Sequence, residues 1–296
     1  MTRRGPLATA LLYLAAALLG VFAFGPFVLS VIASITPEAG LLSFPPDWFR
    51  HGFTLDNYRY IFTGEIPQSF IVRGDIRSMI SEEIRHVPTG IFNSVRVAVP
   101  VMIVNVVLGS MAAYAMARLR WPGRDALFNF IMASRLIPAV ALALPYYGII
   151  QSLRLLNNPL ALVLIYSTLT LPLTILLLTA TFLRVPRAIE EAAQLDGLGP
   201  FQVLLRITLP LTAPGVAGTA LFAFMLSYSE FLFALLLATR QDTRTLPVML
   251  ASVSVNPDVS VGLLHAAVVI GALPTLLVVV PIWRYMIQGL SEGSSG

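Results

Sequence analysis

The stretch Arg184-Val185-Pro186-Arg187-Ala188-Ile189-Glu190-Glu191-Ala192-Ala193-Gln194-Leu195-Asp196-Gly197 continues as Leu198-Gly199-Pro200-Phe201-Gln202-Val203-Leu204-Leu205-Arg206-Ile207-Thr208-Leu209-Pro210. It lies between two apolar runs long enough to cross a bilayer. Pro186 suits the first turn of a helix, where its missing N–H is not needed, and Gly197 suits a stop because glycine readily takes positive φ. The spacing predicts a short helix over about 187–195, with Ala188, Ala192 and Leu195 at i, i+4 and i+7 and Arg187, Glu190, Glu191 and Gln194 around the other face. Gly199-Pro200 opens a second short helix with Phe201, Leu204, Leu205 and Thr208 along one stripe. Periodicity alone leaves two readings open. Small alanines beside carboxylates let a partner's groove approach the backbone while charges fix the register, but an interfacial helix lying on headgroups has the same pattern.

Outward from this stretch the chain is apolar. Of 296 residues, 57% are hydrophobic and 11% charged, with a mean hydropathy of +0.82; soluble domains carry about 25% charged residues. The runs predict six helical spans: Leu7 to Ile35, Asn93 to Ala117, Ala126 to Ile150, Pro159 to Leu183, Ala213 to Ala238 and Val261 to Trp283. The first is longer than the apolar region of a cleavable signal peptide, and reads as a retained helix. Between it and the second lies a mixed segment, 36–92, with five arginines and seven acids, read as a small exposed lobe. The organisation expected is therefore 1–35 as tail and first helix, 36–92 as lobe, 93–288 as a five-helix core containing the loop 184–212, and 289–296 as a tail.

Absent residue types exclude whole chemistries. With no cysteine there are no disulfides, thiolate metal sites or thiol nucleophiles. All 19 basic residues are arginine, so a phosphate-binding loop ending in GK[ST] cannot exist in this chain. Neither a metal-like histidine spacing nor a Ser/His/Asp arrangement points to catalysis, and no bound cofactor or metal is expected. The net charge of +4 and pI near 9.7 follow from arginines at the ends of membrane helices, so nucleic acid is not an expected partner.

Short loops set the orientation. The loop Arg118-Leu119-Arg120-Trp121-Pro122-Gly123-Arg124 holds three arginines, whereas Gln151 to Asn158 holds Arg154 alone, which predicts that the first is cytoplasmic. Both termini are then cytoplasmic, and 36–92, 151–158 and 239–260 face outward. Within the spans, ionisable residues are costly and mark interior or water-facing positions. Glu230 in span five, flanked by Tyr228 and Ser229, is a candidate pathway or gate residue, with a structural carboxylate as the alternative. Arg135 in span three reads as an interhelical brace.

Glu191-Ala192-Ala193, then Asp196-Gly197, then Ile207-Thr208-Leu209-Pro210 resembles the EAA loop of bacterial ABC importer permeases. Asp56-Asn57-Tyr58, Asn93-Ser94, Ala112-Ala113-Tyr114-Ala115-Met116-Ala117-Arg118 with Pro122-Gly123, Pro145, Asn157 and Gly289-Leu290-Ser291 are similar to the carbohydrate-importer members of that family. The resemblance implies an all-α polytopic membrane protein of the type I ABC importer permease fold, with six transmembrane helices. It implies a permease subunit, not an enzyme, in a bacterial or archaeal inner membrane. Its partners would be a second permease subunit, a dimer of ATPase subunits that holds the ATP and Mg, an extracytoplasmic solute-binding protein and the lipid bilayer. Glu191, Ala192, Ala193, Asp196 and Gly197 would contact the ATPase, and Val255, Asn256, Pro257 and Asp258 the binding protein. The implied cargo is a sugar, oligosaccharide, polyol or related glyceryl compound, moved by alternating access.

The chain departs from the family pattern at two places in its spans. Leu226-Ser227-Tyr228-Ser229-Glu230 stands where Trp-Asn before an acid is usual, and Ser134-Arg135 stands where many members carry an uncharged polar pair. A permease for another solute, such as a phosphate ester or an amino acid, and a carrier driven by an ion gradient remain the rival readings.

Overall fold

Backbone amides and carbonyls placed in hydrocarbon must be satisfied within their own segment, so apolar runs of this length fold as helices. The computed structural model describes residues 6–45, 47–50, 52–67, 70–72, 75–76, 81–256 and 259–292. Among the described residues the helices of six residues or more are, in chain order, α1 (Pro6–Ile35), α2 (Asp56–Thr63), α3 (Val87–Arg118), α4 (Arg124–Ala133), α5 (Ala139–Ser152), α6 (Pro159–Phe182), α7 (Arg187–Leu195), α8 (Pro200–Leu211), α9 (Ala213–Tyr228), α10 (Leu232–Leu237), α11 (Leu246–Ser254) and α12 (Val261–Glu292). One addition to the all-α expectation is a two-residue antiparallel ladder in the lobe, β1 (Ile71–Val72) with β2 (Asp75–Ile76). Helix α3 starts before residue 93 and α12 continues past residue 288, so both expected segment boundaries fall inside helices.

Among the described residues four helices are long and apolar enough to cross a membrane unbroken: Leu7–Ile35, Glu82–Arg118, Pro159–Phe182 and Val261–Trp283. Two bent pairs, Arg124–Leu136 with Ala139–Ser152 at 96° and Pro200–Leu211 with Ala213–Tyr228 at 88°, bring the number to six if each is one span. The unbroken third span expected from hydropathy is thus corrected; the 88° bend falls at Thr212, just before the expected fifth span, which is interrupted separately at 229–231. Span three breaks because Ile137 precedes Pro138: a residue before proline is pushed to extended backbone, and Ile137 has φ −72° and ψ 122°. Span five breaks at 229–231 because the Glu230 carboxylate accepts the amides of Phe233 and Ala234 at 3.0 and 3.3 Å, which starts α10 as a separate helix.

The chain divides into two compact units. In the first, residues 1–88 and 249–272, the Asp56-Asn57-Tyr58 stretch straps α2 to the end of α1. Asn57 Nδ2 donates to the Ser34 carbonyl at 2.8 Å and the Tyr58 and Ser34 hydroxyls share a bond of 2.6 Å. Gly262 is required beside this strap, since a β-carbon there would lie 2.8 Å from Asn57 Nδ2.

In the second unit, residues 89–248 and 273–296, α6 is the central element and packs chiefly along α9. Lipid tails are as apolar as leucine, so association between membrane helices relies on close packing at small residues and on interhelical hydrogen bonds. Both devices are present. A β-carbon on Gly109 of α3 would meet the Thr174 methyl of α6 at 2.6 Å, one on Gly215 of α9 would meet the Thr181 methyl at 2.5 Å, and Thr174 Oγ1 donates to Asn105 Oδ1 at 3.0 Å.

Asparagines tie the connections at the Pro159 end of α6. Asn157 takes φ 60°, donates its amide to the Leu237 carbonyl at 2.8 Å, and through Oδ1 accepts the Thr239 and Arg240 amides at 2.8 and 3.0 Å and the Thr243 hydroxyl at 3.1 Å. Asn93 Nδ2 donates to the Asp242 and Arg244 carbonyls, and Ser94 Oγ accepts the Leu246 amide. These two residues at the start of the expected second span are thus backbone clamps. Because Asn157 is used there as an acceptor, Asn157→Asp should leave stability near that of the wild type. Asn157→Ala should cost about 1–3 kcal/mol, read by thermal or denaturant unfolding in detergent.

Candidate functional site

Helix α7 is defined at both ends by local chemistry. Pro186 precedes it with φ −59° and ψ 130°. At the other end the Gly197 amide donates to the Gln194 carbonyl and the Leu198 amide to the Ala193 carbonyl, at 3.0 and 3.1 Å, with Gly197 at φ 89°. That pair of bonds around a left-handed glycine is a Schellman stop, completed by burial of Ala193 and Leu198 in one apolar cluster with Phe182, Val203 and Leu204. Helix α8 starts where the Gly199 amide donates to Gln202 Oε1, and it carries a π turn over Leu204–Thr208 just ahead of Pro210.

The face of α7 turned into the protein carries a charge. Glu190 is buried, and its Oε2 lies 2.7 Å from Nε of Arg118, the last residue of α3; the side chains are 5% and 7% exposed. Glu190 Oε1 accepts the Thr208 hydroxyl of the π turn at 2.7 Å. Arg118 Nη2 donates to the carbonyls of Phe182 and Val185, both at 2.8 Å, where α6 has run out of intrahelical donors. One guanidinium therefore joins three elements: the end of α3, the end of α6 and, through Glu190, α7. Taking both ions from water costs several kcal/mol, and the hydrogen bonds on the remaining oxygens and nitrogens are what offset it.

The opposite face is open. Ala188, Ile189, Glu191, Ala192, Gln194, Leu195 and Asp196 are exposed, Leu195 to 90%. Phe201 and Leu205 of α8 extend this apolar surface. Of the five expected contact residues, Glu191, Ala192, Asp196 and Gly197 are exposed here, whereas Ala193 is turned inward. Glu190 leaves the polar set to which the periodicity assigned it. Spacing held a signal for this, because Glu190 and Ala193 lie three residues apart on one face.

The other expected sites are less assembled. Tyr228 is buried and stacks on Phe224 with ring centroids 5.6 Å apart, and Ser229 Oγ donates to the Met225 carbonyl. Glu230 is half-buried beside the fully buried Tyr166, with both carboxylate oxygens used to cap α10. In the remaining set Val255 is 81% exposed and Asn256 half-buried; Pro257 and Asp258 lie outside the described residues.

Membrane-length helices, two of them broken in mid-course, that present a short amphipathic helix on a buried ion pair define a multi-pass transport permease. Residues 105–287 match the family of the binding-protein-dependent transport system inner membrane component, and the chain belongs to that family. It is 31% identical over 281 residues to the sulfoquinovosyl glycerol transport system permease protein of Agrobacterium fabrum, covering 95% of this chain and 92% of that one. It is also 30% identical over 285 residues to the trehalose/maltose transport system permease protein of Thermococcus litoralis, covering 96% and 95%. The crystal structure of a bacterial ABC transporter involved in the import of the acidic polysaccharide alginate has the same fold, with a TM-score of 0.71 at 19% identity over 96% of this chain and 99% of that one. The chain is accordingly a permease subunit of an ABC importer and not an enzyme.

The ion pair generates a test that separates burial from charge. Glu190→Ala and Arg118→Ala should each destabilise the subunit by about 3–5 kcal/mol, because each leaves its partner charged and buried. The double variant Arg118→Met with Glu190→Leu should recover most of that loss, as measured by thermal unfolding in detergent. Equal losses in single and double variants would contradict this account of the pair.

Proposed function

We propose that this subunit forms half of the membrane pathway of an ATP-driven importer for a sugar, oligosaccharide, polyol or related glyceryl compound. The other half is a second permease subunit, and α7 is the element on which an ATPase subunit acts. The observation that carries this reading is the division of α7 into an anchored inner face and an exposed outer face that mixes apolar and charged residues. Glu191, Ala192, Asp196 and Gly197 form the ATPase contact, while Ala193 supports it from behind.

Arginine placement supports an orientation with α7 and both termini in the cytoplasm, since Arg118, Arg120 and Arg124 gather in one short connection and Arg154 stands alone in the opposite one. The solute class is supported by the transport names of the relatives, sulfoquinovosyl glycerol and trehalose/maltose. In the proposed cycle an external binding protein delivers solute to the outer connections, including Val255 to Asp258, and two ATPase subunits bearing ATP and Mg close on each other. Closure displaces α7. Because Arg118 bonds α7 to the ends of α3 and α6, those ends move with it, and alternating access results. Tyr228, Ser229 and Glu230 serve this motion as the break between α9 and α10.

Docking on the outer face of α7 is tested at its most exposed apolar residue. Leu195→Glu should leave unfolding within about 0.5 kcal/mol of the wild type, as surface changes do. Co-purification of the ATPase subunit with the complete assembly should fall sharply. Retention of the ATPase at wild-type stoichiometry would overturn the assignment of α7.

A further inference from the structure

The break in the third span displays a charge that has no counter-ion among the described residues. Arg135 lies in the turn Ser134–Leu136 between α4 and α5, where the backbone changes direction by 96°. Its guanidinium is exposed, and Nη1 donates to the Leu169 carbonyl of α6 at 2.6 Å. Among the described residues no carboxylate pairs with it. Arginine has five N–H donors in a planar fork, so this single bond leaves most of them available. The residues that follow it in sequence carry exposed apolar side chains, Leu136 at 83%, Val140 at 71% and Leu144 at 82%.

A guanidinium at membrane depth costs several kcal/mol and is retained where it faces the bundle interior or a water-filled path. A bond to one backbone carbonyl would be made as well by a neutral donor, so bracing α6 does not account for the charge. Broken helices within membranes are also where transporters place their solute sites. Resting on the importer reading above, we infer that Arg135 is a specificity-determining residue of the transport path and that the solute it takes is a saccharide carrying an anionic group such as a carboxylate. The Leu169 carbonyl fixes one edge of the guanidinium and leaves Nε and Nη2 to meet two anionic oxygens side by side, the geometry in which arginine surpasses lysine. Glu230 forms no ion pair among the described residues, and its oxygens accept the first amides of α10.

The test uses the complete transporter, with its partner permease, ATPase subunits and binding protein, reconstituted in proteoliposomes. Uptake is measured for a neutral glucoside and for the glucuronide that differs from it only in the carboxylate at C6. The wild type should prefer the glucuronide. Arg135→Gln should reduce glucuronide uptake about tenfold or more, the worth of a charge-assisted hydrogen bond, and leave uptake of the glucoside unchanged. Arg135→Lys, which keeps the charge and loses the fork, should fall between the two and serves as the informative variant if the Gln form does not assemble. Equal loss on both solutes makes Arg135 a brace and overturns the inference. A wild-type complex that carries the glucoside and refuses the glucuronide overturns it while leaving the proposed function intact. A complex that carries neither overturns the inference and leaves the wider cargo class of the proposed function, which includes oligosaccharides and polyols, standing.

Discussion

The ion pair between Arg118 and Glu190 constrains more of this subunit than any other contact. Its 2.7 Å separation places one carboxylate and one guanidinium out of water, and neither tolerates the loss of the other. The remaining valences are used by Thr208 of the π turn and by the carbonyls of Phe182 and Val185. A short helix of nine residues is marginal by itself. Here it is held to the end of α3 by a buried ion pair and to the π turn by the Thr208 hydroxyl, which frees its outer face from any structural duty. Exposure of Ile189, Ala192 and Leu195 is the consequence.

Elsewhere the same economy of polar contacts decides the architecture. Glycines at 109 and 215 admit threonine methyls of α6, and Asn105 reaches Thr174 across the same contact. At the far end of α6, Asn157 gathers the chain at 237–243. Between these two tied ends lie the breaks at Pro138 and Glu230. A bundle secured at its ends and interrupted in its middle suits the proposed alternating access, because each broken span supplies two rigid halves and a joint.

Hydropathy made the apolar passes legible, and the start at Pro186 and stop at Gly197 made α7 legible, because both signals are local. Where the reading failed, a partner distant in sequence decided the outcome. Glu190 was indistinguishable from Glu191 by composition, and only Arg118, 72 positions earlier, turns it inward. The break of span three was written locally, in Ile137-Pro138, yet other prolines such as Pro100, Pro145 and Pro172 stay within continuous helices. Asn57, Asn93 and Asn157 stood out by resemblance, but their roles as backbone clamps depend on carbonyls and amides that no sequence pattern locates.

The central claim is that α7 and the end of α3 move as one body because Arg118 and Glu190 join them. The chain has no cysteine, so single cysteines introduced at Arg120 and at the exposed Gln194 can carry spin labels without background from this subunit. Electron–electron distance measurement in the complete transporter, with and without ATP, should give one narrow distribution that does not shift between states. A distance that changes on ATP binding in the otherwise unaltered subunit would contradict the account.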